Sequence, residues 1–174
     1  MRNRFLPGFV IGIVCTLVVL AVGAFAVAKA GLIPANADAK PSMLERRFAG
    51  MARDAAVNRY APTDDNPVKL SDENLMAGMK LYKNQCQGCH GAPGDAENKF
   101  GQAMYPSIPQ FPARKHPMGM SEQQIYWIGK HGFRLTGMPA FTDMMTDDEL
   151  WKTALFIKHM SQLPPAVEEA WRKP

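Results

Sequence analysis

The stretch Cys86-Gln87-Gly88-Cys89-His90 decides how this sequence is interpreted, because it places two thiols and an imidazole within five residues. A Cys-x-x-Cys pair alone is typical of a redox dithiol or of half a zinc site. Zinc would require two further ligands, but the third cysteine, Cys15, lies in an apolar segment and the other three histidines form no closely spaced pair. A thioredoxin-like dithiol would require alternating strands and helices, and the chain has no alternating strand pattern.

A histidine directly after the second cysteine indicates covalent haem attachment. Two thiols three positions apart, at the end of a helix, can reach the two vinyl groups along one porphyrin edge, and the next side chain then lies beneath the iron. We therefore predict one haem c, attached covalently through Cys86 and Cys89, with His90 as an axial ligand of the iron.

The sequence around this motif predicts a helical domain over residues 71–174. Three helices are predicted from capping residues followed by apolar positions, and the capping residues are Ser71, the pair Ser121 and Gln124, and the pair Thr146 and Glu149. A Pro- and Gly-rich stretch from residue 91 to 120 separates the first two helices. Such a long loop in a small domain is expected only if it wraps a large group that is not protein.

Residues 71–163 resemble the class I single-haem cytochromes c. The resemblance rests on four stretches, which are Gly78-x-x-x-Tyr82, Cys86 to Asp95, Trp127 to Arg134, and Thr136 to Phe141. It implies an all-α domain with a small cytochrome c fold wrapped around a covalently bound haem. It also implies that the first and last helices cross near Gly78, and that the methionine of the Gly-Met-Pro loop, Met138, is the sixth ligand of the iron.

Met138 also has a physical case as the second axial ligand. Gly137 and Pro139 flank it, which allows a close approach to the iron and then fixes the chain direction. It lies between the central and the final predicted helix, so it can face His90 across a central haem. The other methionines in or near loops compete with it, and they are Met118, Met120, Met144 and Met145.

Further haem contacts are predicted outside the axial positions. Tyr105, Ile108 and Phe111, each followed by a proline, are expected to line the haem edge as apolar cover. Arg134, or alternatively Lys130, is expected to pair with a haem propionate. The other interpretation of either cation is a solvated surface charge, because isolated surface pairs are weak.

The free ring nitrogen of His90 is expected to find a backbone acceptor. The resemblance suggests that the turn at Pro93 supplies it, which would fix the orientation of the imidazole. Of the other histidines, His131 is expected to be a cap or an interior group rather than a replacement ligand. His116 and His159 are interpreted as surface residues.

The first 30 residues are predicted to be a transmembrane anchor. Phe5 to Ala28 contain 24 residues without a charge, enough for a helix to cross a hydrocarbon core about 30 Å thick. Arg2 and Arg4 precede this run, so the positive-inside rule places the N-terminus in the cytoplasm. The rest of the chain is then on the periplasmic or another extracytoplasmic side of the inner membrane. The alternative is a cleaved signal peptide with a small-x-small site at Ala35-Asn36-Ala37.

Residues 31–70 are predicted to be a linker that contains one short amphipathic helix, near residues 44–59. Its apolar stripe consists of Leu44, Phe48, Met51 and Ala55. Such a stripe usually packs on a neighbouring core, and we expect the helix to pack on the domain that follows or to fray in solvent. The alternative is that this helix, which carries four arginines outside the stripe, binds the membrane surface or a partner subunit.

The charge distribution disfavours a nucleic-acid partner. The net charge is +4, but residues 1–70 hold nine basic and five acidic residues, whereas residues 71–174 hold eleven of each. The basic excess therefore belongs to the anchor and linker, and the predicted haem domain is neutral.

These predictions favour an electron-transfer protein over an enzyme. An iron with two protein ligands has no open position for a substrate, so the haem accepts and releases single electrons. The expected partners are the membrane and the redox proteins in it. Two alternatives stay open. One is a fixed haem subunit of a larger respiratory, photosynthetic or dehydrogenase complex, and the other is a haem sensor or peroxidase with an open iron site.

Overall fold

The computed structural model describes residues 5–93, 98–112 and 119–173. Every regular element in these ranges is a helix, which confirms the all-α prediction. The chain divides into two compact units, Met1–Ala39 and Lys40–Pro174. The predicted boundaries after residues 30 and 70 stay predictions.

The first unit contains α1, which extends over Phe5–Lys29. The predicted apolar run is therefore one continuous helix, and its stretch Leu6–Lys29 has a mean hydropathy of 2.8 and no buried residue. At about 1.5 Å per residue, a helix of this length can cross a membrane of ordinary thickness. Arg2 and Arg4, on which the predicted orientation depends, lie outside the described residues.

The second unit is built on the crossing of α3 (Asp72–Gln85) and α7 (Asp147–His159). They meet at Gly78, where a Cβ atom would stand 2.9 Å from the Cβ of Phe156 and would overlap the carbonyl group of Lys152. Only a glycine permits this approach, so the helix crossing expected near Gly78 is confirmed. Around it lie the buried side chains of Leu75, Tyr82 and Leu155.

Local capping explains where the main helices begin. Ser121 forms a full capping box with Gln124 at the start of α6 (Glu122–His131). Thr146 does the same with Glu149 at the start of α7. Each box satisfies two backbone N–H groups that a helix N-terminus leaves unpaired. These two predicted helices are therefore confirmed together with their caps.

The linker helix α2 spans Met43–Tyr60, and at its N-terminus only half of a capping box between Ser42 and Glu45 forms. The Ser42 hydroxyl accepts from the Glu45 N–H at 3.1 Å, but the Glu45 carboxylate accepts from the Tyr105 hydroxyl at 2.7 Å instead of returning to the cap. Near its C-terminal end, α2 packs on α6 through the buried side chain of Val57. The Asn58 amide oxygen accepts from the Gln124 side chain at 2.7 Å.

The helix α2 packs on the domain as expected, but its apolar stripe does not make this contact, so the expectation that the stripe faces the core is wrong. Leu44, Phe48 and Met51 are 78%, 66% and 63% exposed. The reason is the direction of the stripe: at 100° per residue, Val57 points roughly 150° away from its centre. The contact with α6 involves Val57, Asn58 and Tyr60, whose ring stacks on that of Trp127 with centroids 6.3 Å apart. The larger apolar side chains of the stripe face outward.

Two further helices are absent from the sequence prediction. One is α5 (Lys99–Ala103), which interrupts the long Pro- and Gly-rich stretch. The other is α8 (Pro165–Arg172), which buries Val167 and Trp171 completely or nearly so. Both are too short for their apolar spacing to be read as a period, and both are stabilised by residues distant in sequence.

The motif turn is itself a helix, α4 (Gln87–His90), and it directly follows α3. The main buried cluster lies beside it and includes Tyr82, Tyr126, Trp151, Phe156 and Trp171. The rings of Tyr126 and Trp151 stack in parallel with centroids 4.0 Å apart. Trp171 meets the ring of Tyr82 edge-on at 5.6 Å.

Candidate functional site

The Cys-x-x-Cys-His motif occupies a single tight turn. Cys86 ends α3, and its carbonyl accepts from the N–H groups of Cys89 at 3.1 Å and His90 at 2.9 Å. The hydroxyl of Tyr82, one turn earlier, donates to the carbonyl of Gly91 at 2.8 Å. Two thiols and one imidazole are thus carried by one turn that is fixed at both ends.

The His90 ring is buried and its orientation is set by one hydrogen bond. Its Nδ1 atom lies 2.9 Å from the carbonyl oxygen of Pro109. A carbonyl can only accept, so the proton is on Nδ1 and the lone pair of Nε2 is free. Burial lowers the pKa of His90, which favours the neutral ring. A neutral imidazole with a free Nε2 is the form that binds a metal.

The acceptor is Pro109 and not Pro93, so the prediction for the Pro93 turn is wrong. After α5 the chain turns back towards the motif turn. The Ile108 N–H closes this loop by donating to the Gly101 carbonyl at 2.8 Å. The Phe111 N–H donates to the His90 carbonyl at 3.0 Å. These two bonds hold the intervening Pro109 carbonyl against the imidazole.

Two amide side chains strengthen this return. Gln110 donates from Nε2 to the carbonyls of Cys89 at 3.1 Å and Ile108 at 3.0 Å. Asn98 donates from Nδ2 to the Gly88 carbonyl at 2.7 Å, and its Oδ1 accepts from two N–H groups at the start of α5. Sequence analysis missed both residues. Asn98 carries a visible signal as a helix N-cap, whereas nothing local to Gln110 indicates its role.

Close packing accompanies these bonds. The ring of Phe111 stacks on His90 with centroids 4.3 Å apart and an interplanar angle of 8°. A Cβ on Gly101 would stand 2.7 Å from the Cys89 carbonyl oxygen, so only glycine fits there. Phe111 thus covers the imidazole of His90, while Ile108 is half-buried beside Gly101.

The two thiols are free and half-buried. Burial, with a smaller contribution from Cys89, raises the pKa of Cys86 to about 12. A thiol of this kind stays protonated at neutral pH, whereas a zinc ligand would be a thiolate. Two thiols on one turn, next to an imidazole, are the groups that covalent attachment of haem requires.

Met138 lies in a tight loop closed by three hydrogen bonds. The Phe133 N–H donates to the Met138 carbonyl at 3.1 Å. The Thr136 hydroxyl accepts from the Met138 N–H at 3.1 Å and donates to the Phe133 carbonyl at 2.8 Å. At Gly132, which has φ +61°, a Cβ would stand 2.6 Å from the Met138 carbonyl oxygen. The loop therefore requires its glycine and has little freedom to move Met138.

The structure brings Met138 and the motif to the same buried cluster. Met138, Cys86 and Phe111 all pack against the main cluster, and Phe111 in turn stacks on His90. Met120 packs against the same cluster, so it competes with Met138 as a neighbour of the motif.

The other competing methionines differ in their surroundings. Met145 is buried within the cluster, whereas Met144 is 54% exposed. Met118 lies outside the described residues, and so does His116.

The remaining residues that were predicted to contact the haem differ in their exposure and in their hydrogen-bond partners. Tyr105 is 40% exposed and donates to Glu45 of α2. Arg134 is exposed in the loop before Met138. Lys130, the alternative cation, is engaged elsewhere: its Nζ lies 2.6 Å from Asp147 and 3.1 Å from the Tyr126 hydroxyl.

Two of the other histidines lie on the surface or near it. His131 is exposed and its ring lies 5.1 Å from that of Trp127. His159 faces the Glu122 carboxylate at 3.4 Å. Neither is close to the motif turn in the chain, and each has a partner of its own.

The donor set fits haem c. The pair of thiols on one turn suits two thioether bonds, and the buried imidazole presents its Nε2 lone pair to a metal. Thioether sulfur from a methionine of the same core suits the second axial position. The domain thus holds a set of ligands that iron porphyrin requires.

Comparisons with known proteins agree with this chemistry. Residues 73–157 match the family model described as cytochrome c oxidase, cbb3-type, subunit III. The cbb3-type cytochrome c oxidase subunit FixP of Sinorhizobium medicae (strain WSM419) is 27% identical over 124 residues, 67% of this chain and 40% of the relative. The chain thus spans less than half the length of this relative.

One solved structure is similar over part of the chain. It belongs to the reducing HAO-like protein complex of Kuenenia stuttgartiensis, with 26% identity over 58% of this chain and 50% of that chain. Its TM-score of 0.44 does not establish a shared fold.

Proposed function

We propose that this chain, a c-type cytochrome whose cytochrome domain includes residues 73–157, carries single electrons through one haem while its N-terminal helix holds it at a membrane. Cys86 and Cys89 attach the haem, and His90 and Met138 bind its iron. One haem is proposed because the whole sequence has three cysteines and one Cys-x-x-Cys-His motif.

The observation that carries the proposal is the 2.9 Å contact between His90 Nδ1 and the Pro109 carbonyl oxygen. It fixes the proton on Nδ1 and so directs the Nε2 lone pair to the metal side of the ring. A histidine that served only to fill the core would not require this tautomer on the same turn as two thiols.

The residues proposed to hold the haem have different roles. Bound haem supplies an iron that accepts and releases one electron. Cys86 and Cys89 retain it during redox cycling, and the neutral imidazole of His90 donates to the iron. Thioether ligation by Met138 favours the ferrous state and raises the potential. With His90 and Met138 both bound to it, the iron would have no open position for a substrate, so we propose electron transfer and no catalysis by the domain alone.

The membrane placement rests on the N-terminal helix. α1 is long and apolar enough to span, and the arginines before it favour a cytoplasmic N-terminus. The haem domain is then on the periplasmic side of the inner membrane. An anchor of this kind raises the effective concentration of the haem near membrane-bound donors and acceptors.

A second candidate is a fixed haem subunit of a respiratory complex. It is favoured by the match to a family described as an oxidase subunit, and by the relative that bears such a name. The chemistry at the haem is the same in both cases, and the difference lies in whether the domain shuttles.

Native separation of membranes solubilised in mild detergent tests the two candidates. A haem-stained band at the monomer position supports a carrier, whereas a band at high mass supports a subunit. The same preparation tests the iron ligands, because thioether ligation gives ferric haem a weak far-red charge-transfer band. Absence of this band from the purified protein would contradict the proposed ligation and favour a sensor or peroxidase with an open iron site.

A further inference from the structure

The composition of the exposed apolar stripe of α2 indicates that the stripe binds another surface. Leu44, Phe48 and Met51 lie within ~60° of one another around the helix, and all three are more than 60% exposed. Arg47 and Arg59 lie on the two edges of this stripe. Apolar side chains flanked by arginines are typical of helices that lie in the interface of a membrane.

The charges of α2 favour an anionic surface. The helix has four arginines against Glu45 and Asp54. Glu45 is occupied by the Tyr105 hydroxyl, and Asp54 is paired with Arg53 at 2.7 Å. The helix keeps a net charge of +2, and Arg47 and Arg59, at the edges of the apolar stripe, are placed where the phosphates of anionic lipids would meet them.

The chain connection keeps α2 close to a bilayer. Residues 30–42 join the end of α1 to Met43, and a fully extended connection of this length spans at most about 50 Å. If α1 spans the membrane, α2 cannot leave its vicinity. A partner protein would need no such tether, whereas a bilayer is present wherever the anchor is.

We propose that α2 lies along an anionic membrane surface, with Leu44, Phe48 and Met51 inserted among the headgroups and Arg47 and Arg59 on lipid phosphates. The proposal rests on the membrane anchor of the proposed function and extends it.

The contacts of α2 with the haem domain give this placement a consequence. Val57 and Asn58 connect α2 to α6, and Glu45 connects it to Tyr105, close in the chain to the return that holds His90. A helix bound to the bilayer by one face and to the domain by the other would present the haem domain to its partners in one orientation.

Alkylation of single cysteines by a membrane-impermeant maleimide tests the proposal in full-length holoprotein. The protein is placed in nanodiscs containing anionic phosphatidylglycerol. On a Cys15→Ala background, Met51→Cys is compared with Lys80→Cys, an exposed position on α3. We expect residue 51 to react much more slowly than residue 80. When either Arg47→Gln or Arg59→Gln is added to the Met51→Cys variant, insertion of α2 into the bilayer should weaken about fivefold. The reason is that one basic residue contributes ~1 kcal/mol to binding at an anionic surface.

Three outcomes would contradict the inference. A parallel sample of the protein that retains Cys15 reports on the anchor. Equal reactivity of residues 51 and 80, with Cys15 protected in that sample, would overturn the inference while leaving the anchor intact. Protection of residue 51 in native membranes but not in lipid-only nanodiscs would show that a protein partner covers the stripe. A reactive native Cys15 would contradict the anchor itself, and with it this inference. Haem staining of each variant checks that the domain has assembled.

Discussion

The Nδ1 atom of His90 lies 2.9 Å from the carbonyl oxygen of Pro109, a residue 19 positions further along the chain. This contact connects the motif turn to the return of the loop after α5. It decides which ring nitrogen is free for iron, and it makes the electron density of the ligand depend on a distant segment.

The contact between His90 and Pro109 should influence the reduction potential. Gln110 supports the segment that carries Pro109 by donating to the carbonyls of Cys89 and Ile108. Gln110→Leu removes both bonds and should weaken the contact between His90 and Pro109. A less basic imidazole stabilises ferric iron less, so we expect the midpoint potential to rise in a redox titration. Gln102→Leu, at an exposed position on α5, is the control. An unchanged potential in Gln110→Leu would contradict the positioning role.

Axial ligation by Met138 can be separated from ligation by Met120, since both pack against the main cluster. Met138→Leu should abolish the far-red band of the ferric protein and lower the midpoint potential, because the thioether is lost while the volume is kept. Met120→Leu should leave both unchanged. The reverse result would assign the ligand to Met120.

Covalent attachment depends on the two thiols of the motif turn. Replacing Cys86 and Cys89 together with serine should give a protein without haem on a denaturing gel, because no thioether bond can form. Cys15→Ser is the matched control and should retain full haem staining. A double variant that still carries covalent haem would contradict the attachment site.

The crossing of α3 and α7 makes Gly78 intolerant of a side chain. Gly78→Ala places a methyl group against Lys152 and Phe156 and should cost about 1–3 kcal/mol, lowering the thermal midpoint by about 4 °C per kcal/mol. Gly50→Ala, in α2 with nothing within 4 Å, should be neutral or stabilising by up to ~1 kcal/mol. Equal midpoints for the two variants would contradict the close crossing.

Asp147 should make stability depend on acid pH. The hydrogen bond from Lys130 Nζ, followed by that from the Tyr126 hydroxyl, holds the pKa of Asp147 below its ordinary value. A depressed pKa stabilises the fold above the ordinary value of the carboxyl and ceases to do so as the pH falls through the folded value. Thermal midpoints should therefore fall on acidification below about pH 4, and less so in Asp147→Asn. The effect should be small and salt-sensitive because Asp147 is exposed, and exposed Asp143→Asn is the control. An acid response in Asp147→Asn equal to that of the unchanged protein would exclude this pair as a cause.

The elements that sequence analysis predicted are those with local signals. The capping boxes at Ser121 and Thr146 involve residues three positions apart, and the apolar run of α1 is continuous, so each is visible in a short window. The short helices α5 and α8 have no apolar pattern that is long enough to be recognised in such a window. α8 depends on Val167 and Trp171 meeting residues from other helices, and no pattern within eight residues encodes that contact.

The sequence by itself determined the chemistry of this protein: a thiol pair with an adjacent imidazole, a helix long enough for a membrane, and a methionine held between glycine and proline. Tertiary structure alone decided that Pro109 rather than Pro93 orients His90, that Gln110 and Asn98 support the turn, and that the stripe of α2 faces outward. The physical reason is the distance along the chain over which each interaction acts. Covalent spacing and helix caps act between near neighbours, whereas the acceptor for a buried ring nitrogen and the buried face of a helix depend on which distant segments pack together.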